Sequence, residues 1–161
     1  MDKLTLLDWK RRIFALYAEV RAADDPESAW QRWCTVRADL YRTHPQSPRV
    51  GGEPAYFAYN ADLRFEASVE RVEPAPLEIA GSGGSTTRFR RFALAHFDDM
   101  SLELYWLEAY GGGVFLPFAD ATSGEETYGA GRYLLDTLKG ADLGTKGGQM
   151  VLDFNFAYQP S

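Results

Sequence analysis

The sequence predicts a mainly β, α+β fold: an antiparallel β-barrel or sandwich preceded by an N-terminal helical hairpin. Three observations carry this expectation. Apolar residues recur at helical spacing only before residue 43, they alternate with polar ones or form short runs after residue 55, and glycine- and proline-rich breaks separate those runs with no helical segment between them. The chain, 1–161, reads as a single domain, with 5–43 the helical hairpin and 55–160 the antiparallel β part.

Trp9, Ile13, Leu16, Tyr17 and Val20 share one helical face, which predicts an amphipathic helix over 5–23 with the Lys10-Arg11-Arg12 run on its wet side. Asp24, Asp25 and Pro26 end it and begin the next helix. There Asp25 is suited to cap free N–H groups, Pro26 to fill the first helical position, and Glu27 to complement the dipole. Trp30, Trp33, Cys34, Leu40 and Tyr41 form the second apolar face, and His44-Pro45 stops it near Thr43. Pro45 to Pro54, rich in Pro, Gly and Ser, is the crossing to the β part.

Leu63 to Val72 alternates as a half-buried strand. Pro74 and Pro76 bracket a turn, Leu77 to Ala80 is a short strand, and Gly81 to Ser85 is a flexible hairpin tip. Arg88 to Phe97 and Met100 to Tyr110 form a long hairpin turning at Asp98-Asp99, with a bulge at the arginines between Phe89 and Phe92. Val114 to Phe118, Arg132 to Asp136 and Met150 to Phe156 complete the strands.

At 161 residues the chain is long enough to bury a substantial core, and 45% hydrophobic with 14% aromatic residues excludes a disordered chain. A net charge of −6 argues against a general nucleic-acid binder, because neutralising phosphates takes clustered Lys and Arg. The single cysteine, Cys34, excludes an internal disulfide and a zinc-ligand pair, and its apolar helix face predicts inert burial. The opening MDKLTLLDWKRR lacks the apolar region and cleavage site of a signal peptide, and no apolar run of about 18 residues occurs. The expectation is a cytoplasmic protein without membrane contact; the sequence leaves its oligomeric state open.

Chemistry-bearing residues concentrate in Gly111–Leu134 and Leu152–Pro160. Arg132 is central, because a guanidinium beside close-packed glycine backbone and Tyr133 is costly to bury unpaired, and Asp120 and Asp153 are its natural partners. Thr122, Thr127, Tyr128 and Asn155 add hydroxyl and amide groups suited to orienting a polar ligand, with Trp106, Phe118 and Tyr158 as walls. Gly111, Gly112, Gly113, Gly129 and Gly131 read chiefly as strand bends. The Gly81–Ser85 tip lacks the Lys-Ser/Thr pair of a P-loop, and the Ala119–Thr127 stretch, with Asp120, Glu125 and Glu126, lacks the alternating acids of an EF-hand. No metal and no cofactor are predicted. His96 shares the parity of Phe92 and Leu94 and is expected as a hydrogen-bonded core residue; no Ser-His-Asp ordering or Cys-His pair stands out.

Pro-Phe-x-Asp-x-Thr at Pro117–Thr122, Thr-Tyr-Gly-x-Gly-Arg-Tyr at Thr127–Tyr133 and Leu-Asp-Phe-Asn at Leu152–Asn155 resemble the patterns of DUF1684, a bacterial and archaeal family without an established activity. His44–Pro48 and Tyr56–Phe65 look like segments of the same family, so the resemblance covers most of the chain. Members of that family commonly continue with a cysteine-bearing tail, whose role bears on the completeness of the site.

The first functional reading is a small polar or anionic molecule bound in a barrel-like cavity around Arg132, with Asp120, Thr122, Thr127, Tyr128, Asn155 and Tyr158 as the further binding set. A second reading is an enzyme, hydrolase-like, with Asp120 and Asp153 as an acid/base pair. A third is an interaction module exposing Trp30 and Trp33, with the Arg–Asp network purely structural.

Overall fold

A computed structural model describes residues 2–48, 52, 54–80 and 84–159. Most of the Gly81–Ser85 tip and part of the Pro45–Pro54 crossing lie outside the described residues. Helix α1 spans Lys3–Ala22 and α2 spans Pro26–Thr43. The caps follow from the sequence: Asp2 accepts from the Leu4 N–H, Asp25 from the Ser28 N–H, and the His44 N–H closes α2 on the Leu40 carbonyl just before Pro45. Ile13, Leu16 and Tyr17 of α1 and Ala29, Trp33, Arg37 and Leu40 of α2 are buried. Trp33 anchors the core with no exposed surface, its ring 5.3 Å from Phe156 and 5.4 Å from Tyr56.

Seven strands follow: β1 Arg64–Ala80, β2 Thr86–Phe97, β3 Met100–Leu107, β4 Val114–Phe118, β5 Arg132–Asp136, β6 Thr145–Lys146 and β7 Gln149–Asp153. They form one antiparallel sheet in the order β5-β4-β3-β2-β1-β7-β6. The mainly β, α+β class with its N-terminal helical hairpin is what the chain adopts. The sheet is not closed into a barrel, however. It curls: five residues after β7 leaves β1, Tyr158 forms an antiparallel bridge with Tyr133 of β5, each N–H donating to the other's carbonyl.

Pro74 and Pro76 do not make the expected turn. β1 runs through both as one strand of 17 residues, with its register against β2 shifting between Arg71 and Ala75. This shift absorbs Pro74 in a bulge, and β7 pairs with β1 only along Arg64–Ala67, so both prolines have a side free of ladder bonds. The bulge expected among the β2 arginines falls at Arg91–Ala93. It puts Ala93, Ala95 and Phe97 on the buried face and turns His96 outward, 38% exposed and bonded to Glu70, which corrects its expected interior position. β3 stops at Leu107, and the last strand ends at Asp153, giving way to a 3-10 turn over Phe154–Phe156.

Candidate functional site

Between β4 and β5 the chain folds into a polar loop organised by Asp120. The Asp120 Oδ1 accepts from the Thr122 backbone N–H at 3.0 Å and from its hydroxyl at 2.5 Å, while the two hydroxyls of Thr122 and Thr127 lie 3.0 Å apart. The Thr122 carbonyl accepts from the N–H groups of Glu125, Glu126 and Thr127, closing the loop on itself. The other Asp120 oxygen accepts from Arg132 Nη2 at 2.8 Å. Burial acts to raise the Asp120 pKa, but the Thr122 hydrogen bonds and the Arg132 charge outweigh it and hold the carboxyl below its usual value. Arg132 lies over the rings of Phe118, at 5.1 Å, and Phe57, at 5.8 Å, and its Nε makes no hydrogen bond.

A second guanidinium faces the same space from α2. Arg37 lies one turn from Trp33 and one from Tyr41 and is only 6% exposed. Its Cζ stands 4.7 Å from the Trp33 ring, 4.9 Å from Tyr41 and 5.0 Å from Tyr158. Its Nη2 donates to the Tyr41 hydroxyl at 2.7 Å, whereas its Nε is buried without a hydrogen bond. Burial acts to lower its pKa and the surrounding tyrosines raise it, so the group stays charged. No carboxylate among the described residues answers that charge. Tyr56 stands close enough to feel it, and the Tyr56 hydroxyl also lacks a hydrogen bond of good geometry.

Arg37 and Arg132 line one cleft of about 1460 Å³ between the hairpin, the Pro54–Asn60 segment and the sheet. Its floor is a cluster of Phe65, Phe97, Phe118 and Phe154, with ring centres 4.9–5.9 Å apart at each contact. Asn155 fixes the near wall, its Oδ1 accepting from the Asn60 N–H at 2.9 Å and its Nδ2 donating to the Asn60 carbonyl at 2.8 Å.

Of the residues expected at the site, Arg132, Asp120, Thr122, Thr127, Asn155 and Tyr158 all line this cleft. Tyr128 is 53% exposed and does not. Trp106, expected as a wall, is 45% exposed and does not line the cleft; its indole covers Gly112. Asp153 is not a partner of Arg132. It is fully enclosed, 3.4 Å from Arg64 Nη1, and accepts from the Asn155 backbone and side-chain amides at 3.0 and 2.8 Å. Burial raises its pKa against the pull of those bonds. The indoles of the hairpin are not exposed: Trp33 is enclosed, and the Trp30 N–H donates to the Asn155 carbonyl at 3.1 Å. The residue missed in the sequence is Arg37, although its signal was there: one arginine on the apolar stripe of α2, four residues from Trp33 and four from Tyr41.

Among the described residues no cluster of His, Cys, Asp and Glu is suited to a metal, and no helix is long and apolar enough to cross a membrane. No match was found among curated proteins. The fold is similar to the solution NMR structure of an uncharacterized protein from Haloarcula marismortui, with a TM-score of 0.53 and 28% identity over 86% of this chain and 82% of that one. Residues 53–161, which carry the whole sheet and the Asp120–Arg132 loop, match the family described as "Protein of unknown function (DUF1684)", and the chain belongs to that family.

Proposed function

We propose that the protein binds a small polar or anionic molecule in the cleft between Arg37 and Arg132. The observation that carries this reading is the pair of guanidiniums on one cleft, each with a buried Nε that makes no hydrogen bond. Buried polar groups of native proteins are nearly always satisfied, and two incompletely satisfied guanidiniums lining one cleft fit a ligand that accepts from them. Asp120, Thr122, Thr127 and Asn155 supply the acceptors and hydroxyls that would orient its polar part.

The acid/base alternative draws less support. Asp153 is sealed from solvent and committed to Arg64 and Asn155, so it does not share an accessible space with Asp120. Native mass spectrometry of the purified protein tests the binding reading: the expected result is a retained small molecule, lost from Arg132→Gln while the far-ultraviolet spectrum is unchanged. Unfolding of the Arg132→Gln variant favours a purely structural Arg132–Asp120 pair instead.

A further inference from the structure

The two arginines of the cleft are not equivalent. Arg132 already has a carboxylate at 2.8 Å, so the Arg132–Asp120 pair presents almost no net charge. Arg37 has three aromatic faces and a tyrosine hydroxyl but no anion. Ring faces soften the cost of burying a cation and do not neutralise it. Arg37 is therefore the guanidinium of the cleft without a paired carboxylate, since Glu126, the other carboxylate of the described lining, is exposed on the Asp120 loop. Part of the lining is apolar: the four phenylalanines, with Leu102 and Met100, offer a ligand no donors or acceptors from their side chains.

Resting on the binding reading above, we propose that the ligand is an amphipathic acid, a single anionic head (carboxylate or phosphate monoester) on an apolar body. The head sits on the cleft-lining guanidinium of Arg37, which has no paired carboxylate and whose planar fork offers an acid oxygen a charge-assisted hydrogen bond. The body lies along the Phe65–Phe97–Phe154–Phe118 floor and ends near the neutral Arg132–Asp120 pair, which suits a hydroxyl or amide because it both donates and accepts. Charge counting separates this class from a dicarboxylate. A second acid group at Arg132 has to share a guanidinium already neutralised by Asp120, which the Thr122 hydrogen bonds hold in place, and meets the repulsion of that carboxylate.

Isothermal titration calorimetry of the whole chain with decanoate, decyl phosphate, decanol and succinate, all below micelle-forming concentrations, tests the proposal. One or both amphipathic acids are expected to bind on the order of ten-fold or more tighter than decanol, as a charge-assisted hydrogen bond in a buried site requires. Succinate is expected to bind more weakly than either. Arg37→Gln is expected to reduce the acids to the decanol level, and Arg37→Lys to keep part of the preference. If Arg37→Gln does not fold, the wild-type comparison and Arg37→Lys decide. Decanol binding as tightly as both acids overturns the role of Arg37 while leaving the cleft as a binding site. Succinate binding more tightly than the amphipathic acids overturns the apolar body and leaves an anion site. Failure of all four probes, together with a native mass spectrum showing no retained molecule, overturns the proposal and the binding reading together.

Discussion

Gly131 presses its backbone against the carbonyl of Phe118: a Cβ on residue 131 would overlap the Phe118 oxygen. The glycine also holds a φ of +92°, in the left-handed region. That contact seats Phe118 opposite Arg132 where β4 meets β5, and so brings the guanidinium to the Asp120 loop. Gly131→Ala is expected to destabilise the fold by at least about 2 kcal/mol, because the clash adds to the conformational strain. Gly148→Ala is the comparison, with φ +82° and open space around its Cβ, and is expected to cost about 1 kcal/mol from strain alone. Urea unfolding of both variants checks this; equal losses would show that the Phe118 contact is not what demands the glycine.

The carboxyls of Asp120 and Asp153 are shifted in opposite directions, so they couple stability to pH with opposite sign. Asp120 has a lowered pKa, and its contribution is present above the unfolded value and lost as pH falls through the folded one. The advantage of wild type over Asp120→Asn should therefore shrink on acidification, and because Asp120 is 41% exposed the effect is small. Asp153 has a raised pKa, so its ionisation weakens the fold as pH rises through the folded value. The advantage of wild type over Asp153→Asn should grow on acidification. Unfolding free energies measured across the acidic range up to neutrality distinguish the two slopes, and slopes of the same sign would contradict the environments described.

The reciprocal bonds between Asn155 and the Asn60 backbone tie the Pro54–Asn60 segment to the end of β7. Asn155→Ala removes both and one of the bonds that satisfy Asp153, at an expected cost of about 1–2 kcal/mol. Amide exchange at Asn60 should accelerate in the variant well before global unfolding. Unchanged protection there would mean that the segment is held by other contacts.

Cys34 has a thiol pKa pushed up to about 11, chiefly by burial and partly offset by the Arg37 charge. Labelling by a thiolate-directed disulfide reagent at mildly alkaline pH is expected to be slow in the native protein and fast in denaturant. Rapid native labelling would point to an opened hairpin.

Local signals decided what was legible in advance. Asp25, Pro26 and Glu27 set the start of α2 through bonds and dihedrals within a few residues, and the Asp120–Thr122–Thr127–Arg132 cluster lies within one loop, so spacing alone brought its members together. Long-range pairing was harder. Pro74 and Pro76 read as a turn because a sequence does not reveal that a strand has one side without a partner. Asp153 was paired with Arg132 for want of knowing that β1 delivers Arg64 beside it. Arg37 went unremarked in the sequence, since its meaning comes from Tyr158, 121 positions away.

The Tyr158–Tyr133 bridge has a mechanical meaning. The ring of Tyr158 rests on Arg37 of the hairpin, its backbone is bonded to Tyr133, and Tyr133 is the direct neighbour of Arg132 in β5. The route between the two guanidiniums is thus one aromatic contact, one pair of hydrogen bonds and one peptide link. Such a linkage works as a clasp: anything that draws Arg37 toward itself tugs on the strand carrying Arg132, and cutting the chain before Tyr158 removes at one stroke a ring contact from the hairpin and a bridge from the sheet edge.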